Sequence, residues 1–247
     1  MKLDAGRHGR RLWRAAALAP LVFTTALSGC SDSVGASDDS FDVAFDFSND
    51  YQGWVPGFVD YPVGKETEWA IGSSLAPLPA PLDPARRGIL LTGANHSDDL
   101  FMYITREGPQ LVPNASYAIR YRVTVATNAP KNCAGIGGAP GESVVLKVGA
   151  TPTEPARIVD AAQYYRASFD HGSQLVGGRD ALPVGNIATS NTNCAVLRYE
   201  LKSFDSAPLA VATSASGRLW FVVGVDSGFE GTTAVYITSV RVAIGPA

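Results

Sequence analysis

The sequence predicts an all-β protein, a two-sheet antiparallel β-sandwich. Three observations carry this. Apolar residues recur with a period of two in several segments, clusters of turn-forming residues separate those segments, and amphipathic helical spacing is nearly absent. The first strand is Phe41 to Phe47, where Phe41, Val43, Phe45 and Phe47 share one face. Gly88 to Leu91 and Leu100 to Ile104 follow as short apolar runs. Tyr117 to Val125 alternates, with Tyr117, Ile119, Tyr121, Val123 and Val125 on one side and Arg120, Arg122 and Thr124 on the other. Ser143 to Val148, Ala195 to Leu201, Leu219 to Val225 and Ala234 to Ile244 complete the set. The turns between them contain Asn49-Asp50, Pro79-Ala80-Pro81, Pro113-Asn114, Gly177-Gly178 and Asp226 to Gly231. Gly and Asn there supply positive φ, and Pro fixes the entry of the chain. Pro155 to Arg166 is the best helical stretch and equally reads as the start of a strand.

The chain opens with a different kind of segment. Lys2, Arg7, Arg10, Arg11 and Arg14 precede an apolar run from Ala15 to Leu27, which is the layout of a bacterial secretion signal. The run is too short to span a bilayer, which needs about 20 residues. It ends in Leu27-Ser28-Gly29-Cys30, and this tetrapeptide resembles the lipobox of bacterial lipoproteins. The resemblance implies cleavage before Cys30, a diacylglycerol on its sulfur and acylation of its freed amine. An ordinary signal peptide, or a membrane anchor with a chance Cys, is the alternative. Ser31 rather than Asp follows the cysteine, which by the same resemblance favours an outer membrane where the cell has one. Arg10-Arg11 leaves a twin-arginine export route open beside the general one.

The expected organisation is a signal over 1–29, a lipidated Cys and flexible tether over 30–40, and one sandwich domain over 41–247. The tether SDSVGASDDS is small, polar and acidic, and buries too little to fold. Ten such residues reach roughly 17 Å on average. Of 20 Lys/Arg and 23 Asp/Glu, five and one lie in the signal, so the remainder carries a net charge of about −7. No basic stripe is present, which argues against nucleic-acid binding. The expected contact with the lipid bilayer therefore runs through the acyl chains of Cys30, several of which hold a protein stably.

Cys133 and Cys194 remain after Cys30. In an exported protein they are expected to form a disulfide, closing a loop of about 62 residues and stabilising the fold by about 4 kcal/mol. The glycine-rich segment 134–142 lacks the Lys-Ser/Thr of a Walker motif and precedes a strand, so nucleotide binding is rejected. It reads first as a loop whose glycines permit close packing, and second as a ligand-facing loop.

No residue declares itself catalytic. His96 and His171 lie in turns beside Asp98 and Asp170, and no Gly-x-Ser-x-Gly elbow is present. Glu142, Glu154, Asp226 and Glu230 are the carboxylates available to a glycosidase pair. Asp226 to Gly231 reads as a hairpin turn, with a calcium or sugar contact as the sharper reading. Trp54, Trp69 and Tyr164 are candidate surfaces for stacking on a sugar, although core packing is the leading reading for Trp54. The ligand-binding candidates are thus Trp54, Trp69, Tyr164, Glu142, Asp226 and Glu230.

Phe45-Asp46-Phe47, Asn49-Asp50 and Gly53-Trp54 at one end, the Tyr117 to Val125 strand, and Gly231 to Val242 at the other end resemble jelly-roll carbohydrate-binding modules and related galactose-binding-like domains. The whole chain also looks like a group of bacterial lipoproteins. The resemblance implies a jelly-roll sandwich and a polysaccharide partner. Such modules often carry structural calcium on an Asp of the last strand; Thr238 stands there, which counts against calcium, so no cofactor is expected, with structural calcium left as the alternative. The expected function is a membrane-anchored glycan-binding module of the cell envelope; a β-sandwich glycoside hydrolase or polysaccharide lyase, and a structural or assembly lipoprotein without a small ligand, are the alternatives.

Overall fold

The computed structural model describes residues 40–97 and 99–247. Cys30, the signal and all but the last residue of the tether lie outside these residues. The described chain contains strands and no helix. They are β1 (Phe41–Asp46), β2 (Val55–Val59), β3 (Tyr61–Pro62), β4 (Gly72–Pro77), β5 (Arg87–Ala94), β6 (Phe101–Glu107), β7 (Ser116–Thr127), β8 (Val144–Thr151), β9 (Arg157–Val159), β10 (Tyr164–Ala167), β11 (Ala181–Asn186), β12 (Glu200–Asp205), β13 (Leu209–Ala212), β14 (Trp220–Ser227) and β15 (Thr232–Pro246).

Two antiparallel sheets make the sandwich. The first runs β12-β7-β15-β5-β4, with β1 continuing along β15 beyond β5 and β13 continuing along β7 beyond β12. The second runs β11-β8-β14-β6-β2, and a small third sheet runs β3-β10-β9. The core lies between the two large sheets, as period two demands. Tyr117, Ile119, Tyr121, Val123 and Val125 of β7 face Leu146 and Val148 of β8 and Phe221, Val223 and Val225 of β14 within one buried cluster. On β15 the buried set changes parity, from Val235 and Ile237 to Val240, Val242 and Ile244. A register shift between Ile237 and Ser239 absorbs the change. Without that bulge, half the strand would turn its apolar side to water. Thr238 sits at the bulge, and its hydroxyl donates to the Thr124 carbonyl at 2.9 Å.

Two expectations need correction. Pro155 to Arg166 is neither helix nor one strand but a hairpin of β9 and β10, turned at Asp160 to Gln163. Ala195 to Leu201 is a strand only from Glu200 onward. The bridge at Cys194 and the Asn193 side chain, which accepts the Ala195 N–H at 3.1 Å, hold its first part in a loop.

Candidate functional site

The Cys133–Cys194 disulfide is formed. It joins the segment that follows β7 to the segment that precedes β12, two connections at the same end of the sandwich. Consecutive residues on both segments face two different cavities. Pro130, Cys133, Ile187 and Leu197, with Phe229, line an apolar pocket of about 380 Å³. Lys131, Asn132, Glu142, Asn186, Ser190, Glu200 and Lys202 line a polar groove of about 560 Å³.

The groove is held from its own backbone. Asn132, at φ +61°, donates its N–H to Glu142 Oε1 at 2.8 Å. The other carboxylate oxygen, Oε2, is shielded and has no protein partner. Ser190 donates both its N–H and its hydroxyl to Glu200, each at 2.8 Å, and these bonds hold the Glu200 carboxyl below the usual carboxylate range. Lys202 Nζ donates to the carbonyls of Asn186 (2.7 Å) and Ala188 (2.8 Å). Its pKa falls, because burial opposes the charge more than nearby Glu142 supports it. Leu201, 41% exposed, supplies an apolar rim.

Glu142 is therefore the one predicted ligand candidate in this groove. Its remaining polar residues were not singled out in the sequence, although Lys131 and Asn132 directly precede Cys133. Glu230 lies in the turn between β14 and β15, half-buried, with its N–H on the Ile136 carbonyl of the glycine-rich loop 134–142. The glycines of that loop serve close packing: a Cβ on Gly137, at φ +68°, would meet the Gly228 carbonyl at 2.6 Å.

Both tryptophans lie in the core, as the leading reading of Trp54 has it, and Trp69 is corrected from a candidate sugar surface to a core residue. Trp54 is 2% exposed and packs edge-on against Phe45 and Phe47, beside Phe221. Trp69 is equally buried against Tyr61 and His96. Neither ring offers a face to a sugar. Tyr164 is half-buried with the Arg166 guanidinium over its ring.

Asp226 is the other correction. It is not a turn cap but the fully buried centre of a charge cluster on the outer face of the second sheet. Lys147 of β8, also fully buried, donates to Asp226 Oδ2 at 2.7 Å and to the carbonyls of His171 (2.8 Å) and Val176 (2.9 Å). His171 stacks on Phe101 at 4.3 Å. Its Nε2 lies 3.1 Å from Asp60 Oδ2 and its Nδ1 3.5 Å from Asp226 Oδ2, so both carboxylates pair with the ring. Arg166 closes the chain on Asp60 Oδ1 at 2.8 Å. The segment 168–180 is thereby fastened over Phe101, Tyr103 and Val222.

Burial works against a charged His171, but the carboxylates of Asp226 and Asp60 outweigh it and raise its pKa to about 9. Burial and the negative charge of Asp226 raise Asp99 to about 8. Both folded-state values exceed those of the unfolded chain. Their contributions to stability are complete below the unfolded values and are lost as pH rises through about 8 and 9. The melting temperature is thus expected to fall between pH 7 and about pH 9, and Asp99→Asn to flatten the part of the fall below about pH 8. Thermal unfolding across that range checks this; a Tm that rises there refutes it.

Thr238 is spent on Thr124, Asp46 accepts the Ser48 N–H at 2.8 Å, and the described residues contain no metal-binding group of three or more His, Cys, Asp or Glu.

No protein-family model matches the chain, and no curated protein does. Among solved structures the chain is similar to the CBM22-1 xylan-binding domain of Paenibacillus barcinonensis Xyn10C. There identity is 9%, coverage 86% of this chain and 99% of the other, and the TM-score 0.40. It is similar to TmCBM27, a mannan-recognising carbohydrate-binding module, at 10% identity, 84% and 99% coverage and TM-score 0.38. The CBM22-1–GH10 modules of Clostridium thermocellum xylanase 10B match at 11% identity and TM-score 0.37, over 83% of this chain and 28% of that one. What those proteins bind belongs to them; the sandwich assignment here rests on the strand pairing itself.

Proposed function

We propose that this protein is a bacterial envelope lipoprotein, anchored through acylated Cys30, whose sandwich binds glycan in the polar groove beside the disulfide. The observation that carries the reading is Glu142. Its Oε1 is fixed by Asn132, and its shielded Oε2 lacks a partner. A carboxylate oxygen without a protein donor is filled by a water or by a ligand hydroxyl once the side chains that shield it shift aside, and sugar hydroxyls are donors and acceptors at once. The groove also holds two Lys and two Glu, so its charges balance and a neutral, hydroxyl-rich ligand fits better than a polyanion. Leu201 gives the apolar contact that a pyranose face needs.

Binding is favoured over hydrolysis. Glu142 and Glu200 share the groove, as a glycosidase pair would. But Glu200 accepts two bonds from Ser190 and sits below the usual carboxylate range, which disqualifies it as a proton donor at neutral pH.

The test is a glycan array with the purified protein beside Glu142→Gln. The variant keeps the shape and the bond to Asn132 but replaces the free acceptor with a donor. Loss of about tenfold or more in affinity is expected, since hydrogen bonds to charged groups are worth about 1.5–3 kcal/mol. Equal binding by both proteins moves the site elsewhere. No binding to any glycan turns the reading toward an assembly lipoprotein, and release of reducing sugar would establish the enzyme alternative.

A further inference from the structure

The flat outer face of the first sheet carries an unusual arrangement. Arg122 of β7 and Arg241 of β15 stand directly opposite each other in the strand register. Like charges so placed destabilise a sheet. Each is compensated on its far side. Asp205 of β12 accepts from Arg122 Nε (2.7 Å) and Nη2 (3.0 Å), and Asp42 of β1 forms the same fork with Arg241. Arg120 lies two residues before Arg122 on the same face, about 7 Å away. It is exposed, stands opposite Ala243, and has no acidic partner among the described residues. Three guanidinium groups and two carboxylates leave one positive charge over, on a sandwich domain whose 15 Lys/Arg and 19 Asp/Glu over 41–247 give a net charge of −4.

The unpaired cation has space beside it. Two adjoining hollows of about 250 and 440 Å³ share Asp42, Arg120 and Ala243, and small residues, Ala118, Ala243 and Gly245, line them. Ser40 and Phe41 line the second hollow, so it lies where the chain arrives from Cys30. Ten residues separate Cys30 from Ser40 and span at most about 36 Å. The opposite tip, with the disulfide, lies along the full length of β15, about 50 Å for 15 residues.

We infer that the Arg120 hollow takes a phospholipid headgroup phosphate and orients the sandwich on the membrane, with the disulfide end outward. The inference rests on the acylated Cys30 proposed above. The acyl chains hold the protein to the bilayer. One Lys or Arg near a charged headgroup layer biases its orientation roughly fivefold.

The first experiment needs no acylation. The full-length protein, ¹⁵N-labelled, is titrated with dihexanoyl phosphatidylglycerol and separately with inorganic phosphate. The expected result is a shift of the Arg120 Nε–H and Ala243 N–H signals by the lipid, reduced at least threefold in Arg120→Gln. A shift by inorganic phosphate alone overturns the lipid assignment, and no shift by either overturns the site. The second uses the exported protein in nanodiscs containing a headgroup spin label, its acylation checked by mass spectrometry. Broadening at Ala118 and Ala243 but not at Ile136 and Leu197, lost in Arg120→Glu, is expected. Equal broadening at both ends, or broadening unchanged by Arg120→Glu, refutes the orientation. A protein found without acyl groups fails the anchor reading and leaves the titration to decide the site.

Discussion

Lys147→Met is expected to destabilise the fold by about 3–5 kcal/mol, the usual cost of removing one partner of a buried ion pair. Lys147 and Asp226 are both without solvent exposure. The methionine fills most of the space but leaves the Asp226 carboxylate short of a cation. It also strands the carbonyls of His171 and Val176, which Lys147 Nζ now satisfies. Against a typical total stability of about 5–15 kcal/mol, such a loss is large. Chemical denaturation measures it. A second variant separates charge from packing: Lys147→Met with Asp226→Asn is expected to recover part of the loss, because the unpaired charge is gone. If the double variant is as unstable as the sum of the single ones, the pair does not act as a unit. Hydrogen exchange gives a local readout, since amides of 170–178 should lose protection before those of β7 and β15.

Lys147 also shows where the sequence was opaque. The alternation of β7, β14 and β15 was plain because these central strands bury one face and repeat with period two. Strands β2, β4, β11 and β13 went unread, and all four lie at sheet edges. Edge strands tolerate Pro and Gly, which otherwise signal a break. Val55-Pro56-Gly57 in β2 and Pro183-Val184-Gly185 in β11 are such cases, the latter with a register shift at that point. The charge cluster draws on Asp60, Asp99, Lys147, His171 and Asp226, far apart in the chain. Its local trace was a lone Lys within the apolar run Val144 to Ala150, a run buried on both faces because 168–180 covers the outer one. Trp54 was ambiguous for a related reason: it follows Gly53 in a turn, and its N–H donates to Tyr51, yet its ring points inward to the phenylalanines of β1 and the following turn. The groove was half legible, since the cysteines marked the two loops but not which of their neighbours would face it.

Replacing both cysteines by alanine is expected to cost stability and ligand binding together. Closing a loop of about 62 residues is worth about 4 kcal/mol by loop-closure entropy, and thermal unfolding of the double variant should show a Tm lower by several degrees or more. The effect on the groove follows from sequence adjacency. Asn132, whose N–H holds Glu142 Oε1, directly precedes Cys133, and its φ of +61° is a left-handed conformation that asparagine adopts more readily than most side chains. Without the bridge, the 130–134 segment loses its covalent tie to 187–194 and Glu142 loses its fixed acceptor geometry. Affinity for glycan should therefore fall at temperatures well below the new Tm, where the protein is still folded. Calorimetry at 10 °C, with circular dichroism to confirm the fold, separates the two effects. Undiminished affinity in a folded double variant would show that the disulfide supports the sandwich alone and that Glu142 is positioned without it.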